Sequence, residues 1–433
     1  MPPALPLFHT VAHATLLRVL VNHARSLAAG YYVGINGAPC RTLVGARGIG
    51  KSALMRAFVL VAPSAFPSLL PVYLNGQDIL NPQHVLHAGH LQSALAAAAA
   101  LQDLPFCSLS ALPKGRRLLL LVDEFDDLYR VPANRYPALA INVLTTLSLL
   151  SGLGDRTDGN SSVLLCGSSS ATYSLVQGMG ARLERTFPLV VEGIPDLNST
   201  KFERLRLPAP LCSDSAEVAA MLAAMAGSGG WVAGHARSTA AARLLTFFVG
   251  ATPRAVARAV HPLGIQELTG EQLAGACPDT PPDAGFVYSG TGAFLRALLA
   301  RLAEKNSELR ALTRKSDGSA NFQAIMDPAC RWEQSVVPLT MSEVEAVFQG
   351  VTWSAATAAD ADLPSMLNEI ADKHLLRMHH PSGLDSAQVW PVTAAQAVAG
   401  GLPGARDLAG AAAAFARAAK ELALVVYAVK TIV

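Results

Sequence analysis

Charge is scarce in this chain: Asp, Glu, Lys and Arg make up only 15% of its 433 residues, against 51% apolar. Disorder needs low hydrophobicity and high net charge, so this balance excludes wholesale disorder. It leaves ample apolar material for the cores of two or three domains. Net charge is +2, too weak a field to argue for nucleic acid or a membrane surface. The six cysteines (Cys40, Cys107, Cys166, Cys212, Cys277 and Cys330) never fall into a C-x-x-C pair. That excludes the usual zinc and disulfide frameworks and suits a reducing compartment. No apolar run approaches the roughly 20 residues of a membrane span. The start, Met1-Pro2-Pro3-Ala4, lacks the charged and then apolar regions of a secretion signal. An intracellular protein, cytoplasmic or nuclear, is the expectation.

What is present centres on Gly45-Ala46-Arg47-Gly48-Ile49-Gly50-Lys51-Ser52, which fits G-x-x-x-x-G-K-[ST], the phosphate-binding P-loop. Thr42-Leu43-Val44 leads in as a strand, and Ala53 to Val59 leads out as a helix, the setting that the motif requires. The glycines let the backbone N–H groups turn inward, and the helix N-terminus adds partial positive charge. Lys51 is placed to meet the β- and γ-phosphates as a point charge, and Ser52 to hold a magnesium ion. Acidic residues are missing altogether before Asp78, while Arg18, Arg25, Arg41, Arg47, Lys51 and Arg56 precede it. Organellar import sequences share that bias; because it runs through the P-loop, it reads here as a phosphate-facing surface.

The second half of the site is Leu118-Leu119-Leu120-Leu121-Val122-Asp123-Glu124. Five aliphatics in a row are what a parallel strand buried on both faces requires. Acids at its C-terminal end stand where ligands bind in open α/β sheets. This is a Walker B pattern, with Asp123 orienting magnesium and Glu124 polarising the attacking water as general base. Asp126 and Asp127 follow closely and leave the division of labour among the acids open. Val163 to Cys166 reads as another buried strand, running into Gly167-Ser168-Ser169-Ser170. That polar strand end suits sensing of the γ-phosphate or positioning of water, or N-capping of the next helix. Arg182 and Arg185 precede Phe187-Pro188-Leu189-Val190-Val191, which the proline assigns to a sheet edge.

Around these motifs, residues 8–29 read as a helix laid on the core, with Pro63 and Pro67 breaking the chain after the P-loop helix and Val72 to Leu74 forming a short strand. A helix over 81–101 carries His84, His87 and His90; with no Asp, Glu or Cys beside them, they read as a polar edge and not a metal site. From about 196 the pattern is helical only, including a helix that starts at Gly250-Ala251-Thr252-Pro253-Arg254. Residues 277–284 form a linker. Helices over 293–306, 342–348 and 364–373, then a hairpin at 374–379 and 387–392, make a winged-helix outline.

Taken together, the P-loop, Val122-Asp123-Glu124, Gly167-Ser168-Ser169, the arginines before an edge strand and Gly250-x-x-Pro253-Arg254 resemble the AAA+ ATPases. The likeness is greatest to the archaeal-type and STAND-like ATPases and the origin-recognition initiators. It implies an α/β P-loop NTPase core, a three-layer α/β/α parallel sheet, followed by a helical lid and a winged-helix-like domain. The matching segments are an N-terminal helix over 1–30, a core over 31–195, a lid over 196–276 and a C-terminal region over 277–433. The resemblance further implies ATP and Mg2+ as cofactors, with Gly45, Ala46, Arg47, Gly48, Ile49, Gly50, Lys51, Ser52, Ala53 and Arg254 around the nucleotide and Ser52 and Asp123 on the metal. Glu124 is the catalytic base and Ser168 or Ser169 is sensor 1. Whether Arg182 or Arg185 is the arginine that in this family completes a neighbour's site stays open; if either is, the resemblance implies a homo-oligomer. Neither the N-K-x-D guanine motif nor the L-S-G-G-Q transporter signature occurs.

An ATP-hydrolysing conformational or assembly switch is the function expected. A DNA-binding initiator and a non-hydrolysing nucleotide scaffold are the alternatives. Charge argues against DNA: from residue 284 on there are 13 Lys/Arg and 14 Asp/Glu, a net −1, and the expected recognition helix carries Glu369 and Asp372.

Overall fold

The computed structural model describes residues 11–33, 41–45, 47–75, 93, 96–97, 100, 115–124, 157–168, 204–206, 215–226, 242–247, 250–260, 285–318, 321–330, 332–353, 362–379 and 387–399. They form two compact units. One holds the described residues of 11–45 and 50–208, the other residues 47–49 and those from 209 onward.

The first unit is a five-stranded sheet. Its strands β1 (Arg41–Gly45), β2 (Leu69–Asn75), β3 (Arg117–Asp123), β4 (Ser161–Ser168) and β5 (Arg204–Arg206) run in the order β2-β3-β4-β1-β5. Every neighbouring pair is parallel. The aliphatic run of β3 is fully buried from Leu118 to Val122, and β4 is buried along its whole length. Because the strands are parallel, their C-terminal ends share one side of the sheet: Asn75 pairs with Asp123, and Gly45 with Ser168. β4 separates β1 from β3, so Ser168 lies on the strand between the P-loop strand and the acidic one.

Helix α1 (Val11–Ala28) packs against this sheet and against α2 (Lys51–Ala65). Its His23 is buried, with Nε2 2.8 Å from the Ser162 hydroxyl, which satisfies a polar residue inside a buried strand. Arg117 donates to the Ala28 carbonyl at 2.6 Å, placing a cation on the C-terminal end of α1.

Several expectations change. Pro63 does not end the P-loop helix, which continues to Ala65; in the last turn a proline removes a single bond, and Phe66 N–H still reaches the Ala62 carbonyl at 2.7 Å. β2 is seven residues long and contains Pro71, which its place at the described edge of the sheet tolerates. The stretch beyond 196 is not helical only: Arg204–Arg206 is the strand that borders β1. The strand expected at 187–191 and the three histidines fall outside the described residues.

The second unit contains α3 (Ser215–Ala226), helical residues 242–247 and α4 (Pro253–Val260). There follow α5 (Thr291–Lys305), α6 (Ser307–Thr313), α7 (Phe322–Met326) and α8 (Trp332–Ser335). Residues expected as lid and those expected as C-terminal region share one core here. Phe247 meets Trp332 edge-on at 5.3 Å between centroids, and Arg243 donates to the Ile325 and Cys330 carbonyls. Then come β6 (Leu339–Thr340), α9 (Met341–Gly350), α10 (Leu363–Asp372), β7 (Leu376–His379), β8 (Gln388–Pro391) and α11 (Ala394–Ala399). The hairpin expected at 374–392 is β7–β8, and β6, which the sequence did not announce, adds to it antiparallel in the order β6-β8-β7. Among the described residues no helix is long and apolar enough to cross a membrane.

Candidate functional site

The P-loop lies between the C-terminal end of β1 and the start of α2, which begins at Lys51 itself. Gly48 and Gly50 have φ of +80° and +94°, backbone that a β-carbon opposes. No side chain caps α2, and no acid occurs in its first turn, so its N-terminus keeps a field suited to an anion. Lys51 is 9% exposed, and its ammonium donates to the Gly45 carbonyl at 2.8 Å, folding back along the loop it follows. Ile49 is buried, Arg47 and Ser52 are half-buried, and Ala53 is exposed. Ala46 lies outside the described residues.

Asp123 ends β3 and is 3% exposed. Its Oδ2 accepts the Tyr73 hydroxyl proton at 2.7 Å and its Oδ1 accepts the Glu124 backbone N–H at 3.0 Å. Tyr73 in turn accepts from Arg56 Nε at 3.0 Å, and the guanidinium carbon stands 5.1 Å from the ring centre. Burial, reinforced by the bond to Asp123, pushes the Tyr73 phenol well above its ordinary range, so it remains a proton donor. The bond to Tyr73 outweighs burial and raises Arg56 too. Glu124 has φ of +49°, a left-handed conformation that a non-glycine residue adopts at a cost of about 1–2 kcal/mol. Such strain gathers at functional sites. Ser168 ends β4 and is buried. Asp126, Asp127, Ser169, Arg182 and Arg185 lie outside the described residues.

In the second unit, Arg254 occupies the first turn of α4, with its backbone N–H on the Gly48 carbonyl at 3.1 Å. A β-carbon on Gly48 would stand 2.8 Å from that of Arg254. Arg47 pairs with Asp372, at the end of α10, at 2.8 Å. Gly48→Ala is therefore expected to destabilise this unit by about 1–2 kcal/mol, from the left-handed backbone alone. The three tryptophans among the described residues, Trp332, Trp353 and Trp390, belong to the same unit. Urea unfolding followed by tryptophan fluorescence should show an earlier transition, and an unchanged midpoint would contradict the close approach.

Sequence reasoning missed Tyr73 and the role of Arg56. Tyr73 reads as one more apolar strand residue, and only the register of β2 on β3 shows which acid it reaches.

No family model matches the chain, and no curated protein matches it. Similar solved structures include the ORC2 protein of Aeropyrum pernix in ADPNP–ADP complexes, at 15% identity and a TM-score of 0.41, over 96% of this chain and 97% of that one. The Aeropyrum pernix ORC1 protein in complex with DNA matches at 15% identity and 0.35, over 92% and 93%. Drosophila ORC bound to DNA matches at 15% and 0.34, over 95% of each chain. Identity and superposition at these levels do not identify a family or an activity.

Proposed function

We propose that this chain is an AAA+-type ATPase that binds and hydrolyses Mg-ATP and works as a nucleotide-dependent switch. The observation that carries the reading is a P-loop lysine folded onto Gly45 together with buried Asp123 and half-buried Glu124 at the end of β3, two strands away in one parallel sheet. Lys51 and the α2 N-terminus bind the phosphates. The donors offered to a metal, the Ser52 hydroxyl and the Asp123 carboxylate, are hard oxygens that suit Mg2+ beside phosphate oxygens. Bound there, Mg2+ would neutralise charge on the β- and γ-phosphates. Glu124 takes the proton of the attacking water, and Ser168 stands between the two halves of the site. Arg254, in the first turn of α4, takes the part of a nucleotide-sensing arginine, and Arg182 or Arg185 serves a neighbouring copy. Titration with a fluorescent ATP analogue and a turnover assay test the reading: magnesium-dependent binding with slow hydrolysis supports it. Binding without turnover favours the non-hydrolysing scaffold, and no binding defeats both.

The order β6, α9, α10, β7, β8 supports a winged helix and with it a second reading, DNA binding by α10. The acids that argued against this from sequence act otherwise. Glu369 is buried and accepts from Val287 N, Tyr288 N and the Thr291 hydroxyl, while Asp372 is paired with Arg47. Repulsion of phosphate by these two is therefore not the obstacle. The obstacle is that α10, LPSMLNEIAD, contains no Lys or Arg, so it releases no counterions from DNA. Affinity for duplex DNA at physiological salt is expected at about 10⁻⁴ M or weaker. Sub-micromolar binding with a steep salt dependence would establish the initiator reading instead.

A further inference from the structure

We propose that Tyr73 is a positioning residue for the metal-binding carboxylate, fixing the orientation of Asp123, and that Arg56 holds Tyr73 in place. The inference rests on the reading of Asp123 as a magnesium ligand.

The backbone sets up the contact. β2 and β3 are parallel, with Tyr73 level with Leu121 and Asn75 level with Asp123. Side chains two residues apart share a face, and two residues rise about 6.6 Å along a strand, a span that a phenol covers. The Tyr73 hydroxyl thus arrives at Asp123 Oδ2, while Glu124 N–H takes Oδ1. A carboxylate turns easily about its last torsion, so nothing in Asp123 itself sets its plane. Two donors, one on each oxygen, set it, and each oxygen keeps a further lone pair to present to a cation.

Arg56 extends this chain to the P-loop helix. It follows Ser52 by four residues, which places the two on one face of α2. Its Nε donates to the Tyr73 hydroxyl, and its guanidinium stands over the ring. A hydroxyl that accepts from a cation is a better donor to the next acceptor. Asp123 on β3 is in this way linked through Tyr73 and Arg56 to α2, the helix that carries Ser52. Tyr73 is not needed to hold the strands together, because the β2–β3 pairing runs unbroken from Leu69 to Asn75.

A merely structural hydrogen bond would cost stability and leave metal affinity alone, and that separates the two roles. The full-length wild type, Tyr73→Phe and Arg56→Gln are titrated with a fluorescent ATP analogue in EDTA. Mn2+ is then titrated into each nucleotide complex and followed by electron paramagnetic resonance. Tyr73→Phe should leave metal-free nucleotide affinity unchanged and weaken Mn2+ binding about 10–100-fold, the usual effect of losing the partner that orients a ligand. Arg56→Gln should shift Mn2+ affinity the same way by less. Unchanged Mn2+ affinity in Tyr73→Phe overturns the proposal. Should Tyr73→Phe fail to fold by circular dichroism, unchanged Mn2+ affinity in Arg56→Gln overturns it equally. A wild type that binds nucleotide and Mn2+ while the variants match it sinks this inference alone; a wild type that binds neither sinks the ATPase reading as well.

Discussion

Glu124→Gln should leave ATP bound and slow its hydrolysis by about 10²–10⁴-fold, the worth of a positioned general base. The substitution keeps the size and hydrogen-bonding reach of the side chain and removes only its ability to take a proton. Position argues for Glu124 over its acidic neighbours. Asp123 is already engaged on both oxygens. Glu124 comes next, where the chain turns through a left-handed conformation at the C-terminal edge of the sheet. That turn redirects the side chain away from the strand's alternation. Single-turnover hydrolysis measured beside equilibrium binding separates the two effects. Turnover that persists in Glu124→Gln and stops in Asp126→Asn or Asp127→Asn would move the base further along the chain.

Lys51→Ala should abolish tight nucleotide binding. A hydrogen bond to a charged group contributes about 1.5–3 kcal/mol, or roughly 10–150-fold in affinity. The expected loss lies toward the upper end of that range, because Lys51 is almost fully buried and its ammonium is already aimed along the loop by the Gly45 carbonyl. Lys51→Arg should not restore binding, since a planar guanidinium does not replace a compact ammonium within a tight backbone loop. Titration with the fluorescent analogue reads both variants, and unchanged affinity in Lys51→Ala would overturn the P-loop assignment.

Where the sequence was readable, the signal was local. The P-loop glycines announce a backbone that only glycine adopts cheaply, and Gly48 and Gly50 have that backbone. Leu118 to Val122 announce a strand with no solvent face, and they have none. The C-terminal helices and hairpin were legible for the same reason, since their periodicity is written within each element. β5 was not legible, because Arg-Leu-Arg carries no apolar run and becomes a strand only by pairing with Thr42 to Val44. Glu369 was counted as a charge set against DNA because its partners, Val287, Tyr288 and Thr291, lie about eighty residues earlier.

The amino-acid sequence by itself determined the chemistry on offer: a lysine and a serine after a glycine-rich turn, and two acids after a buried strand. Those are properties of neighbouring residues, set by backbone sterics and by burial of one strand. Only the tertiary structure decided the order β2-β3-β4-β1-β5, which puts Ser168 between the halves of the site and brings Tyr73 onto Asp123. Strand order and register depend on which distant stretches of chain pair with one another. That choice belongs to the packing of the whole sheet and leaves no mark in any single stretch of chain.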